Sequence, residues 1–189
     1  MKTKHFIISS FLLLVLTISC KDKENNQQSL EKEQADEVPV KQNFSVELDV
    51  SASKKDDFAL YYTEDNTINF TDKMAMWRSV EGNEKREKIP FDLSEEKFPT
   101  DIRLDFGMNK EQESVTVYNV KVSYYGNEFS FNGLDFFKYF NENKDFKTEF
   151  DVPNRALKIG KNGAEYKTPF YYPTQTLIDA IKKITTTKK

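Results

Sequence analysis

The stretch Phe44-Ser45-Val46-Glu47-Leu48-Asp49-Val50 alternates apolar and polar side chains without a break. In an extended chain that period of two puts every apolar group on one side and every polar group on the other, the pattern of a strand with one wet face. The same alternation returns at Phe58, Leu60 and Tyr62, at Ile89, Phe91 and Leu93, at Ile102, Leu104 and Phe106, and at Phe146, Phe150 and Val152. Several half-buried strands at short spacing predict a mainly β fold, an antiparallel β-sandwich. Within Val115 to Tyr125 the apolar parity slips from odd positions (Val115, Val117) to even ones (Val120, Val122, Tyr124). A β-bulge near Tyr118-Asn119 restores a single buried face.

Turn chemistry punctuates these runs at Glu64-Asp65-Asn66, Glu81-Gly82-Asn83, Gly107-Met108-Asn109, Gly126-Asn127 and Lys161-Asn162-Gly163. The last carries Asn-Gly, which tolerates positive φ and predicts a tight hairpin joining Leu157-Lys158-Ile159 to Tyr166-Lys167-Thr168. Two segments change to helical spacing. Leu134, Phe137 and Phe140 predict a short internal helix, and Leu177, Ile181 and Ile184 an amphipathic C-terminal one opened by Pro173, with Thr176 and Asp179 as its capping box.

The chain has 189 residues, with 16 Phe and 9 Tyr to fill a core. That length suits one domain with extensions. Its formal charge of -3 gives no drive toward nucleic acid, so no nucleic-acid partner is expected. At the N-terminus Lys2 and Lys4 precede an apolar run from Phe6 to Ile18, too short to span a bilayer and suited to a secretory signal. The run ends Leu16-Thr17-Ile18-Ser19-Cys20, on the single cysteine of the protein. This resembles a bacterial lipobox, with Thr17 where the lipobox prefers Leu. The resemblance implies cleavage before Cys20, acylation of its sulfur and new amino terminus, and a membrane partner reached through the lipid anchor. Lys21-Asp22-Lys23-Glu24 looks like the charged tags that send some lipoproteins to the outer face of the outer membrane, which implies a cell-envelope protein anchored by lipid to the outer membrane, on its surface or on its periplasmic side. Residues 1–19 are therefore expected to be a signal peptide, 20–42 the lipidated cysteine and a charged, solvated stalk, and 43–189 one sandwich domain.

The succession Asp57-Phe58-Ala59-Leu60-Tyr61-Tyr62, Ile68-Asn69-Phe70, Ile89-Pro90-Phe91-Asp92-Leu93 and Ile102-Arg103-Leu104-Asp105-Phe106-Gly107 resembles jelly-roll sandwich domains that accompany cell-envelope glycan enzymes. The likeness spans about residues 43–125 and includes no catalytic motif. It implies a jelly-roll-like sandwich and an envelope glycan, or a protein of the same envelope, as partner.

Cleavage of the signal removes His5, the sole histidine, and acylation consumes the sole cysteine. The mature domain then has no Ser-His-Asp or Cys-His nucleophile and no His or Cys ligand for zinc. No metal or cofactor is expected. The acids Asp56, Asp57, Glu64, Asp65, Glu95, Glu96, Glu111 and Glu113 fall in expected turns, where they read as solubilising groups, and they lack EF-hand spacing. A non-catalytic binding module is the leading reading, and a carboxylate-based glycosidase, or a lyase using Tyr and Arg, is the alternative.

The candidate ligand contacts are Trp77, Tyr61, Tyr125 and Arg103. Trp77 is the only tryptophan, on Met74-Ala75-Met76-Trp77-Arg78-Ser79-Val80. With apolar residues on both faces of that segment, Trp77 is expected mostly buried or lining a groove; the opposite register exposes the indole for stacking. Each doublet, Tyr61-Tyr62 and Tyr124-Tyr125, must split one ring inward and one outward, which makes Tyr61 and Tyr125 the exposed members unless they cover a sheet face against the helices. Arg103 and Asp105 share the polar face of one strand and either pair structurally or line a cleft.

Overall fold

The alternating runs fold as strands in a computed structural model that describes residues 41–161 and 167–186. The strands are β1 (Ser45–Ala52), β2 (Asp56–Thr63), β3 (Ala75–Val80), β4 (Glu87–Asp92), β5 (Asp101–Phe106), β6 (Ser114–Tyr124), β7 (Asn127–Asn132), β8 (Lys147–Asp151), β9 (Ala156–Gly160) and β10 (Phe170–Tyr171). Two helices, α1 (Phe136–Tyr139) and α2 (Gln175–Thr186), complete the described elements. The signal, Cys20 and most of the stalk lie outside the described residues, as does the Asn162-Gly163 turn. Among the described residues no helix is long and apolar enough to cross a membrane.

The strands form two antiparallel sheets, one ordered β4-β1-β6-β9-β8 with β7 also on β6, the other β10-β5-β2-β3. Successive strands pass between them: β1 lies in the first, β2 and β3 in the second, β4 in the first, β5 in the second and β6 in the first. The resulting β6-β1-β4 over β5-β2-β3 is a jelly-roll-like interleaving. The alternation explains which faces meet. Val46, Leu48 and Val50 of β1, Phe58 and Leu60 of β2, and Ile102, Leu104 and Phe106 of β5 are at most 1% exposed and fill the space between the sheets. The bulge falls where the parity slips: Asp49 lies opposite Asn119 but Val50 opposite Val117, so Tyr118 is the extra residue.

Several elements depart from expectation. The chain after β9 does not return as a hairpin: Lys167 and Thr168 lie outside any strand, and the next strand, β10, pairs with β5 in the other sheet. Tertiary closure of the four-stranded sheet overrides local turn chemistry here. Along the run into β8 the expected apolar face is only partly covered: Phe146 packs against the core and Phe150 meets Phe137 edge-on at 6.2 Å, yet Phe150 is 53% and neighbouring Val152 65% exposed. The internal helix is a single turn after a 3-10 turn at Gly133–Asp135, and it buries Phe136 with Phe140. In α2, Leu177, Ile181 and Ile184 are buried as expected. The capping box is not formed, since Asp179 accepts from the Gln175 side chain, and Thr174 ties the helix start to Lys138 and Tyr139 carbonyls instead. The strand β7 was signalled by Phe129 and Phe131 alternating after Gly126, a pattern short enough to be missed. Asp56 is buried rather than solvated: its carboxylate accepts from the backbone amides of Asp57, Met108 and Asn109 and from Gln112 Nε2, joining the β1–β2 and β5–β6 loops.

Candidate functional site

The register of the four-stranded sheet assembles its outer face. Asp105 lies opposite Phe170 and Ala59, and Ala59 opposite Trp77. In the adjacent row Arg103 lies opposite Tyr61, and Tyr61 opposite Ala75. Three of the four expected contacts, Trp77, Tyr61 and Arg103, therefore meet on one surface, while Tyr125 stands in the β6–β7 turn of the other sheet. It is 43% exposed at φ 47° and packs edge-on against Tyr124 at 4.7 Å.

Arg103 is the centre of the cluster. Its guanidinium grips Asp105 with Nε and Nη2, each 2.8 Å from a carboxylate oxygen. Four rings surround it: Tyr61 at 4.1 Å, Tyr172 at 5.5 Å, Phe70 at 5.6 Å and Phe170 at 5.8 Å from the guanidinium carbon. A planar cation stacks well on ring faces while its edge stays free for a carboxylate fork. Structural pairing is thus the role the geometry gives Arg103. Burial opposes the Arg103 charge, yet Asp105 and Tyr172 beside it leave its pKa raised. Burial pushes the Asp105 carboxyl up against the pull of Arg103.

Tyr61 departs from expectation. It faces outward but is only 6% exposed, because Arg103 lies over the ring, Trp77 meets it edge-on at 6.2 Å and its hydroxyl donates to Asp72 at 3.0 Å. Burial first, then the Asp72 bond and the nearby carboxylates, raise the Tyr61 pKa. Trp77 is 40% exposed rather than mostly buried, since Val80 and Met76 take the inward positions of β3. It does line a hollow of about 380 Å³, with Asp57, Ser79 and Met108. Met108 (61% exposed) shares that hollow, and Phe170 (40%) stands at the other end of the same row across the sheet. Sequence reasoning missed Phe70, Phe170 and Tyr172, whose only signal is a high density of aromatic residues. With both Asp105 oxygens on Arg103 and the Tyr61 hydroxyl on Asp72, the cluster holds rings in place and presents apolar surface.

Asp101 closes the far row of this face, opposite Thr63, and is 3% exposed. Burial raises its pKa, Asp65 adds to the rise and Thr100 opposes it. The folded state then holds this proton more tightly than the unfolded chain. The associated stability is complete below the unfolded value and is lost as pH rises through the folded one. Asp101→Asn removes that loss, so its melting temperature relative to the parent protein should improve as pH rises above about 4. A constant difference from there upward would contradict the assignment.

The fold and this face define a jelly-roll-like sandwich with an aromatic cluster built around a buried ion pair. Comparison with protein-family models, with curated proteins and with solved structures finds no match.

Proposed function

We propose that the chain is a lipid-anchored protein of the bacterial cell envelope whose sandwich is a non-catalytic binding module. The outer face of the four-stranded sheet is its contact surface. The observation that carries this reading is the half-exposed Trp77 with Met108 in its hollow and Phe170 in the same row, beside the Arg103-centred cluster. Large exposed apolar side chains gathered on one face mark interaction surfaces, and a tryptophan held in place loses little freedom on contact. Met108 in the Trp77 hollow favours a protein of the same envelope over a glycan on this face, since a glycan ring gains from the indole but little from an aliphatic neighbour.

One experiment tests anchor and surface together. Cells carrying the parent protein, Cys20→Ala and Trp77→Ala are labelled with palmitate and cross-linked, and the cross-linked partner is purified and titrated with each variant. The parent and Trp77→Ala should take up label and Cys20→Ala should not. Trp77→Ala should weaken the purified pair at least about thirtyfold, the scale of a central aromatic contact, with its melting temperature unchanged. An unlabelled parent protein overturns the anchor, and undiminished affinity overturns the surface.

A further inference from the structure

The outer face of the six-stranded sheet carries a different surface. Strand register sets Ser51 opposite Thr116, Thr116 opposite Lys158, and Lys158 opposite Glu149, one row across four strands. In the next row Ser114 lies opposite Gly160 and Gly160 opposite Lys147. The middle of this face is therefore floored by short side chains or none (Ser51, Ser114, Thr116, Gly160), with longer residues standing around it. The result is a trough: two hollows of about 430 Å³ and about 330 Å³ that share Glu84, Ser114, Glu149 and Lys158.

Two costly backbone features border that trough. The bulge inserts Tyr118 on the polar face as the unmatched residue of β6, where it lines the larger hollow. Its ring lies 4.1 Å beneath the Arg86 guanidinium, which is itself forked onto Asp49 at 2.7 Å. Across the floor, Gly82, Asn83 and Glu84 take positive φ in succession (79°, 59° and 57°), and Glu84 N–H donates to Ala52 O at 2.8 Å. That loop brings Glu84 to both hollows. Bulges and left-handed side-chain residues persist where something holds them and cluster at functional places.

The polar groups point to the ligand. Among the described residues, no hydrogen bond or ion pair within the chain engages the Thr116 hydroxyl or the Glu84 carboxylate, and Lys158 makes no hydrogen bond, its charge acting on Glu149 across the row. Tyr118 and Ser51 hydroxyls stand 3.4 Å apart, at the limit of a hydrogen bond, so each has capacity for another. The rim mixes Glu84, Glu113, Glu149 and Asp151 with Lys147, Lys158 and Lys161, a nearly balanced set that offers a polyanion no net attraction. A floor of hydroxyls offers little to an aliphatic ligand. We propose that this trough binds a neutral saccharide chain, with Tyr118 against a sugar ring and Glu84, Thr116 and Lys158 bonding its hydroxyls. The proposal goes beyond the Trp77 surface and does not depend on it.

The test is calorimetric titration of the full-length protein in detergent with four neutral hexasaccharides, of β-glucan, mannan, xylan and chitin type, and with oligogalacturonate as the anionic control. At least one neutral hexasaccharide should bind. Lys158→Ala and Tyr118→Ala should each weaken it about tenfold or more, the effect of losing one hydrogen bond to a charged group or one ring contact, while Trp77→Ala leaves it unchanged. If Tyr118→Ala does not fold, Glu84→Gln takes its place, since that side chain is exposed and, among the described residues, its carboxylate takes part in no hydrogen bond or ion pair. Failure of all four neutral sugars to bind, preference for oligogalacturonate, or loss of binding in Trp77→Ala but not Lys158→Ala overturns the proposal.

Discussion

Gly133→Ala should destabilise the domain by about 3 kcal/mol, a fall in melting temperature of about 10 °C for a chain of this size. The reason is space. A Cβ at Gly133 would stand 2.2 Å from Leu157 N, 2.4 Å from Val117 O and 2.5 Å from Ala156 C. All three are backbone atoms of β6 and β9, whose pairing is anchored at Val117 opposite Leu157, so none can yield as a side chain would. The 3-10 turn that begins at Gly133 launches α1, and α1 supplies Phe136 to the core. Thermal unfolding followed by circular dichroism decides the matter, and a change under about 2 °C would show that the turn can move away from the sheet at little cost.

Arg103→Met should cost about as much, roughly 3–5 kcal/mol, because it leaves the Asp105 carboxylate buried without its partner. The side chains of the pair are 16% and 8% exposed, well below the exposure at which ion pairs contribute little. The double substitution Arg103→Met with Asp105→Leu should recover much of the loss, since apolar groups of similar volume satisfy that environment. Emission of Trp77, the only tryptophan, offers a second readout. It should change in Arg103→Met because Tyr61, stacked under Arg103, is the ring that meets the indole edge-on. Equal stabilities of the single and double variants would mean that the aromatic ring wall, not the ion pair, supports this face.

The parts of the fold that could be read from the chain are those set by local period. In β1, β2, β4 and β5 the alternation names the inward face, and the parity slip places the bulge near Tyr118-Asn119, of which the register makes Tyr118 the extra residue. What escaped depends on pairing across long separations. Tyr61 points outward as its doublet requires, but its cover comes from Arg103, Trp77 and Asp72, which no local pattern connects to it. Phe150 and Val152 alternate as a core strand would, yet Phe150 reaches only as far as the Phe137 ring and both stay more than half exposed. The hairpin after Gly160 was expected from Asn-Gly alone, while the need to complete the four-stranded sheet sends the chain to β5. The trough was invisible for the same reason: Ser51, Ser114, Thr116 and Gly160 are unremarkable separately and become a floor only in register.

The interleaved strand order also dictates a schedule for the chain as it emerges. Ser45 of the first strand must wait for Ser123, and Phe170 near the end must find Asp105 before the smaller sheet is complete. Between those events Phe106 and Phe136 have no Tyr171 to cover them. Loop closures of this reach slow the search, placing sandwich domains in the millisecond-to-second range. Completion of the core therefore waits on the C-terminal segment, and until β10 arrives the rings it covers stay open to other apolar contacts.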